Sequence, residues 1–405
     1  MIIYVYFWNL LLMIVLVILA VIEALTYFVL RQHLFEKRRS LFYFSVLVNT
    51  LISIWLWILA SELINYKGIF DMPGHIWMIM SFTGMLFAVI IPRILLIILH
   101  FTGRFFRNRY GQVQGWLTST GIIIYVLACL IMAMGTFSGR FRYITERYEV
   151  KVRDLHPDLE GLRIVLISDL HLASYYHHPH KLAEAVKIIN SEEPDLILNT
   201  GDFVTFGWRE YDRHDTILSA SHSRLGNFAV AGNHDFGTYH PYFSEAERAN
   251  NVSLINRKAE ASGYTMLNDE NVLARKDSAI IMLAGVTTLG RHPDILYGDI
   301  DRALKGSENA DLVLLLIHDP NQWEEEITGR NDVDLTFAGH THGMQIGIIT
   351  KRLRWSPASQ IYKQWNGLYS DNGSSLIVNR GLGVLGIPAR IWMPPEISVI
   401  TVRGE

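Results

Sequence analysis

The chain has 405 residues, of which 50% are hydrophobic and only 19% charged, with a formal net charge of -3 and one cysteine. So balanced a charge offers no footing for a nucleic-acid partner, and the lone Cys129 excludes both a disulfide framework and a thiolate metal site. The averages hide a division, because residues 1–138 read as a membrane domain and the rest as a soluble one.

From Ile2 to Leu30 the sequence is apolar almost throughout, and a bilayer core about 30 Å thick needs about 20 such residues, so a spanning helix is expected. No Lys or Arg precedes the run, and it is longer than a typical signal-peptide core, so a cleaved signal is the weaker reading. Three further runs, at about 41–62, 75–101 and 115–137, bring the expected spans to four. Arg31, Lys37, Arg38 and Arg39 crowd the first connection and Arg104, Arg107 and Arg109 the third, whereas Ser61 to His75 holds only Lys67. Positive loops stay cytoplasmic, which puts the amino terminus and the soluble domain outside. Arg140, Arg142 and Arg147 just past the last run pull the other way. Glu23 and Arg93 lie inside apolar runs, roughly 12 and 16 Å from the inner boundary by helical rise. An unpaired charge at that depth is expensive, so the two either pair, with Asn49 at similar depth, or each snorkel to the interface.

Residues 139–147 read as a juxtamembrane connection and 148–405 as the soluble domain. Tyr148 to Arg153 alternates as an exposed strand should, and His156 to Gly161 is a turn-rich lead into Leu162 to Ser168. That apolar run ends in Asp169-Leu170-His171. After a helix expected at Lys181 to Asn190, Leu196 to Thr200 ends in Gly201-Asp202, and Phe228 to Ala231 ends in Gly232-Asn233-His234-Asp235. Leu312 to Ile317 ends in His318-Asp319, and Leu335 to Ala338 in Gly339-His340-Thr341-His342. Ser278 to Val286, Ser375 to Asn379 and Pro395 to Val402 supply further strands.

Five buried strands thus carry polar residues at their carboxyl ends, where open α/β sheets bind ligands. In this order the blocks resemble the calcineurin-like metallophosphoesterases, and within them the membrane-anchored bacterial branch, over roughly Tyr148 to Val402. The resemblance implies a four-layer αββα sandwich preceded by an all-α four-helix transmembrane domain. It implies two divalent metal ions (Mn, Fe or Zn), with Asp202 bridging, Asp169, His171 and His342 on one, and Asn233, His318 and His340 on the other. Two such ions lower the pKa of a bridging water and offset phosphate charge. In an extended segment His340 and His342 would point the same way, so one loop could serve the site. The resemblance gives His234 the phosphoryl contact and leaving-group proton, with Asp235 or Asp169 to orient it. Gly343-Met344-Gln345 stands where the branch commonly has Gly-Gly-Gln, and Gly201 to Thr205 lacks the protein-phosphatase extension.

The expected function is hydrolysis of a phosphate ester or pyrophosphate on a lipid-linked small molecule, with membrane lipids as partners. UDP-2,3-diacylglucosamine is the alternative substrate if the domain is cytoplasmic, and a non-catalytic sensor or transport protein is the alternative class. Ordinary packing is the expected role of Tyr175, Tyr176, Trp208, Tyr211 and Tyr239, with an apolar rim facing the bilayer as the alternative; Arg291, Arg380 and Arg390 are candidate phosphate clamps, among which the spacing selects none. His177, His178 and His180 read as a solvated loop before a helix.

Overall fold

Long uninterrupted apolar runs make the first helices. In the computed structural model, which describes residues 2–36, 38–110, 112–287, 298–350, 352–371 and 373–405, these are α1 (Ile2–Leu34), α2 (Arg39–Asn65), α3 (Pro73–Met85), α4 (Ile91–Tyr110) and α5 (Val113–Phe137). A π-helical turn, Leu86–Ile90, joins α3 to α4, so the two form one span. Four helices are therefore long and apolar enough to cross a membrane. Lys37 and Arg291 lie outside the described residues.

The chain divides into two compact units: Met1–Gly68 with Met78–Met134, and Ile69–Trp77 with Gly135–Glu405. The first is the helical bundle. Leu19, Ile22, Leu56, Val89 and Tyr125 form part of its interior. Glu23 and Arg93 do not pair with each other. Glu23 Oε1 accepts from Trp57 Nε1 at 2.9 Å, and Arg93 Nη2 donates to Asn49 Oδ1 at 3.0 Å. Counting along two helices fixes depth but not rotation, and the two side chains take nearer neutral partners.

In the second unit β1 (Ile144–Val152) begins inside the stretch read as a connection, because residues 144–147 already pair with Glu396 to Val399. It is followed by β2 (Arg163–Ile167), α6 (Pro179–Ser191), β3 (Leu196–Asn199), α7 (His214–Leu218), β4 (Gly226–Ala229), α8 (Glu245–Ala261) and β5 (Tyr264–Met266). Then come β6 (Glu270–Lys276), β7 (Ala279–Gly285), α9 (Ile300–Ala303), β8 (Leu312–Leu316), β9 (Leu335–Ala338), β10 (Ile348–Ile349), β11 (Arg354–Trp355), β12 (Gly367–Asp371), β13 (Ser374–Val378) and β14 (Glu396–Gly404). Two six-stranded sheets result, ordered β1-β14-β2-β3-β4-β5 and β12-β13-β9-β8-β7-β6.

The central strands are apolar almost throughout because both faces are covered, as in residues 164–167 of β2 and Leu312–Leu316 of β8, all buried. Ile164 and Leu166 of β2 join Leu314, Leu316 and Phe337 of the other sheet in the central layer. Val165 and Ile167 instead pack on Leu182 and Ile189 of α6 and Ile255 of α8. On the far side Met282, Val313 and Leu315 pack against Ala303, Trp323 and Ile327. The architecture is the αββα sandwich that the motif order implied. Helix α8 escapes a reading by hydrophobic period, since only Asn251, Ile255 and Ala259 are buried along it. Its signal was the capping box, in which Ser244 Oγ and the Glu247 backbone N–H meet.

Candidate metal centre

Strands β2, β3 and β4 run parallel, as do β7, β8, β9 and β13, so each sheet presents its carboxyl ends on one edge. Just past those ends the chain turns sharply. Asp169, His171, Asp202, His340 and His342 all have positive φ, between 38° and 70°. His340 and His342 are thus not an extended pair, and their side chains enter different groups. Gly339 permits the close approach of two loops, for a Cβ there would strike Ser168 Oγ.

Two groups of ligand atoms converge: Asp169, His171 and His342, and Asp202, His318 and His340. In the first, His342 Nε2 lies 3.2 Å from Asp169 Oδ1 and 3.1 Å from His171 Nε2. In the second, Asn233 Oδ1 lies 2.9 Å from both His318 Nε2 and His340 Nδ1. Asp202 Oδ2 is 3.1 Å from His318 Nε2 and 3.8 Å from His171 Nε2, so one oxygen faces both groups.

Each carboxylate divides its labour. Asp202 Oδ1 accepts the His234 backbone N–H at 2.9 Å, and Asp169 Oδ2 that of His340 at 3.0 Å. Asp169 Oδ1 is buried and meets the His342 imidazole, at 3.2 Å, in a geometry that falls short of a hydrogen bond. An orphaned buried carboxylate oxygen facing bare imidazole nitrogens is the arrangement a cation completes, and it calls for one. Burial opposes charge on His318, yet the Asp202 carboxylate beside it pushes the imidazole up to about 10. Burial likewise opposes charge on Asp202, yet the His318 imidazole holds its carboxyl far below the usual carboxylate range. A cation bound there takes the place of that proton, so its uptake weakens in acid.

His318 Nδ1 is 2.7 Å from the Thr200 carbonyl, which leaves Nε2 for the site. His234 Nδ1 is likewise 2.7 Å from the Thr205 carbonyl. Neither Asp235 nor Asp169 orients His234: the fully buried Asp235 accepts backbone N–H groups from Asp202, Gly232 and Val204. Burial and the neighbouring Asp202 charge push Asp235 up to about 8, while the backbone N–H groups of Gly232 and Val204 that it accepts pull the other way, toward the carboxylate. Asp319 lies 3.7 Å from His340 Nε2 and accepts the Asn321 N–H, the geometry of a turn.

Several proposed rim and clamp residues are interior. Tyr175 and Tyr211 are buried in the layer beneath α6 and α8, leaving Tyr176 and Tyr239 exposed. Arg380 is buried against Glu396 and Glu146, and Arg390 against the carbonyls of Arg380, Gly381 and Gly383. Neither is placed to clamp phosphate.

Sequence reasoning missed the residues that support the centre. Thr205 orients two imidazoles, through its carbonyl for His234 and through Oγ1, 3.2 Å from His171 Nδ1. Tyr239 stacks on His234 with ring centroids 4.3 Å apart and accepts from Asn233 Nδ2. Tyr362 places its hydroxyl 3.0 Å from His340 Nε2. Buried Glu210 accepts the N–H groups of Thr205, Phe206 and Gly207, which fixes the loop after Asp202.

The same loop is held from outside by Ile69–Trp77, the connection between α2 and α3, which folds with this unit. Asp71, fully buried, accepts from Arg209 Nη1 at 3.0 and 3.1 Å, and Phe70 packs edge-on against Phe206, His240 and Tyr242. Charged hydrogen bonds of this kind stabilise by about 1.5–3 kcal/mol. Asp71→Ala is therefore expected to lower the melting temperature and, by loosening Thr205, to reduce turnover several-fold. Unchanged melting and turnover would show that the connection is incidental.

Comparison with known proteins gives concordant results. Residues 162–344 match the family model described as calcineurin-like phosphoesterase. The chain is 28% identical over 291 residues to a Bacillus subtilis protein named uncharacterized metallophosphoesterase YkuE, covering 69% of this chain and 94% of that one. It is 28% identical to a Danio rerio transmembrane protein with metallophosphoesterase domain, covering 63% of this chain and 56% of that one. It is also 26% identical to the UDP-2,3-diacylglucosamine pyrophosphatase LpxG of Chlamydia trachomatis, over 61% of this chain and 85% of the relative.

Proposed function

We propose that this chain is a calcineurin-like metallophosphoesterase, a phosphoester hydrolase that acts through two divalent cations on a lipid-linked phosphate or pyrophosphate. Asp169, His171 and His342 would hold one cation and Asn233, His318 and His340 the other, with Asp202 shared. Mixed oxygen and imidazole donors suit Mn, Fe or Zn. Two such ions supply charge neutralisation at the phosphoryl group and a water made nucleophilic near neutral pH.

The chain's own residues do the rest. His234, pinned at Nδ1 by the Thr205 carbonyl and braced by the Tyr239 ring, keeps Nε2 free to meet the phosphoryl group and protonate the leaving oxygen. Tyr239 also fixes Asn233, so one aromatic ring steadies a ligand and the acid together. The observation that carries this reading is the Asp202 oxygen shared between two groups of imidazoles.

The lipid-linked substrate rests on the four apolar helices and on the exposed rings of Tyr176, Tyr239 and Tyr242. Loop charge favours a domain outside the cytoplasm. A nucleotide-linked substrate such as that named for the Chlamydia relative would require the opposite orientation. The test is incubation of the full-length protein with manganese and a panel of phosphomonoesters, soluble diesters and lipid pyrophosphates, with products identified by mass. Lipid pyrophosphate turnover above that of soluble esters is expected, and turnover of soluble diesters alone would overturn the substrate assignment.

A further inference from the structure

The helical unit contains a cavity of about 370 Å³, within the size range of small-ligand sites, lined in part by Glu23, Asn49, Thr50, Ser53, Trp57 and Arg93. Arg93 is 1% exposed, and its guanidinium is held only by neutral acceptors: Tyr125 Oη at 3.3 Å, Ser53 Oγ at 3.2 Å, and the Asn49 carbonyl and Oδ1 at 3.4 and 3.0 Å. Four of the five N–H groups are thereby used, leaving one on Nη1. Glu23 lines the same cavity but is occupied by Trp57 Nε1. A full positive charge within a membrane-spanning bundle thus lacks a bonded counter-ion.

Two further features mark the place. The π-helical turn Leu86–Ile90 comes just before Pro92 and Arg93, and such turns recur at functional sites. The rim includes Tyr27 and Ile54, 47% and 51% exposed on the outer surface of spanning helices, so the cavity opens sideways, toward lipid.

We propose that this cavity binds the oxyanion head of a single amphiphile, a carboxylate or a phosphate. The head meets Arg93, Ser53 and Thr50, and the acyl chain leaves past Tyr27 and Ile54. The site is separate from the metal centre and does not depend on the reaction proposed there. Glu23, which lines the same cavity, repels a fully ionised head and so limits affinity.

The test uses the purified full-length protein in detergent with palmitic acid, dipalmitoyl phosphatidate, methyl palmitate or phosphatidylcholine, bound ligand being counted by native mass spectrometry. Retention of at least one anionic lipid about tenfold above the methyl ester is expected, the effect of one charge-assisted contact. Palmitate alone identifies a carboxylate site, phosphatidate alone a phospholipid site, and both a general oxyanion site. Arg93→Gln should abolish the preference and Glu23→Gln should raise it several-fold. The melting temperature and helical circular dichroism of each variant report its folding. Should Arg93→Gln fail to fold, Thr50→Phe, which fills the cavity and leaves the bonds of Arg93 in place, should lose the ligand in its stead. Equal retention of acids and ester by the wild type, or full retention by a folded Arg93→Gln or by Thr50→Phe, overturns the proposal.

Discussion

Asp202→Asn is expected to lower turnover about a thousandfold or more, the effect of losing roughly 4 kcal/mol of metal-dependent charge stabilisation. The substitution is nearly isosteric, and an amide oxygen at the Oδ1 position still accepts the His234 N–H that joins the two loops. The Oδ2 position is what changes. There an amide N–H would face His318 Nε2 and His171 Nε2, which lie 3.1 and 3.8 Å away in the wild type. Metal content, measured on the purified variant, should fall well below two ions per chain. A second readout comes from the metal-free protein. His318 is raised by Asp202 from 6.5 to about 10, so its contribution to stability is complete below pH 6.5 and is lost as pH rises through 10. The metal-free wild type should lose stability across that window, and Asp202→Asn should lose less, burial alone still holding Asp235 above the usual carboxylate range. Full activity in a variant that no longer bridges two ions would remove the basis of the binuclear reading.

What could be read from the sequence followed from how the strands are buried. Ile164 to Ile167 are apolar without a break because one face meets the second sheet and the other meets α6, so the polar Asp169 and His171 stand out at the strand's end. The same contrast marks Asp202, His318 and His340. Thr205, Tyr239 and Tyr362 gave no such signal, because they act through a carbonyl, a ring face and a hydroxyl brought to the centre by loops. Asp71 was harder still. It lies in the connection between two spans, far in sequence from Arg209, and only the fold joins them. Tyr175 and Tyr211 take the ordinary packing expected of such rings rather than a place on a rim, since proximity to a metal-bearing loop in sequence does not say which side of the sheet a ring takes.

His234→Ala is the second large effect, and its value lies in its dependence on the leaving group. A positioned general acid contributes about 10²–10⁴-fold, but only where the departing oxygen needs a proton. Burial lowers the pKa of His234, so the imidazole gives up a proton readily once it has one, and the Thr205 carbonyl on Nδ1 leaves Nε2 as the atom that delivers it. Alkyl phosphoesters should therefore lose about 10²–10⁴-fold in kcat, whereas p-nitrophenyl esters, whose phenolate leaves unaided, should lose far less. Metal content should be unchanged, since the His234 ring does not belong to either ligand group. If both kinds of ester lose equally, His234 binds the phosphoryl group without donating to the leaving oxygen. In that case the proton must come from water, and the Tyr239 stack serves to hold a binding contact in place.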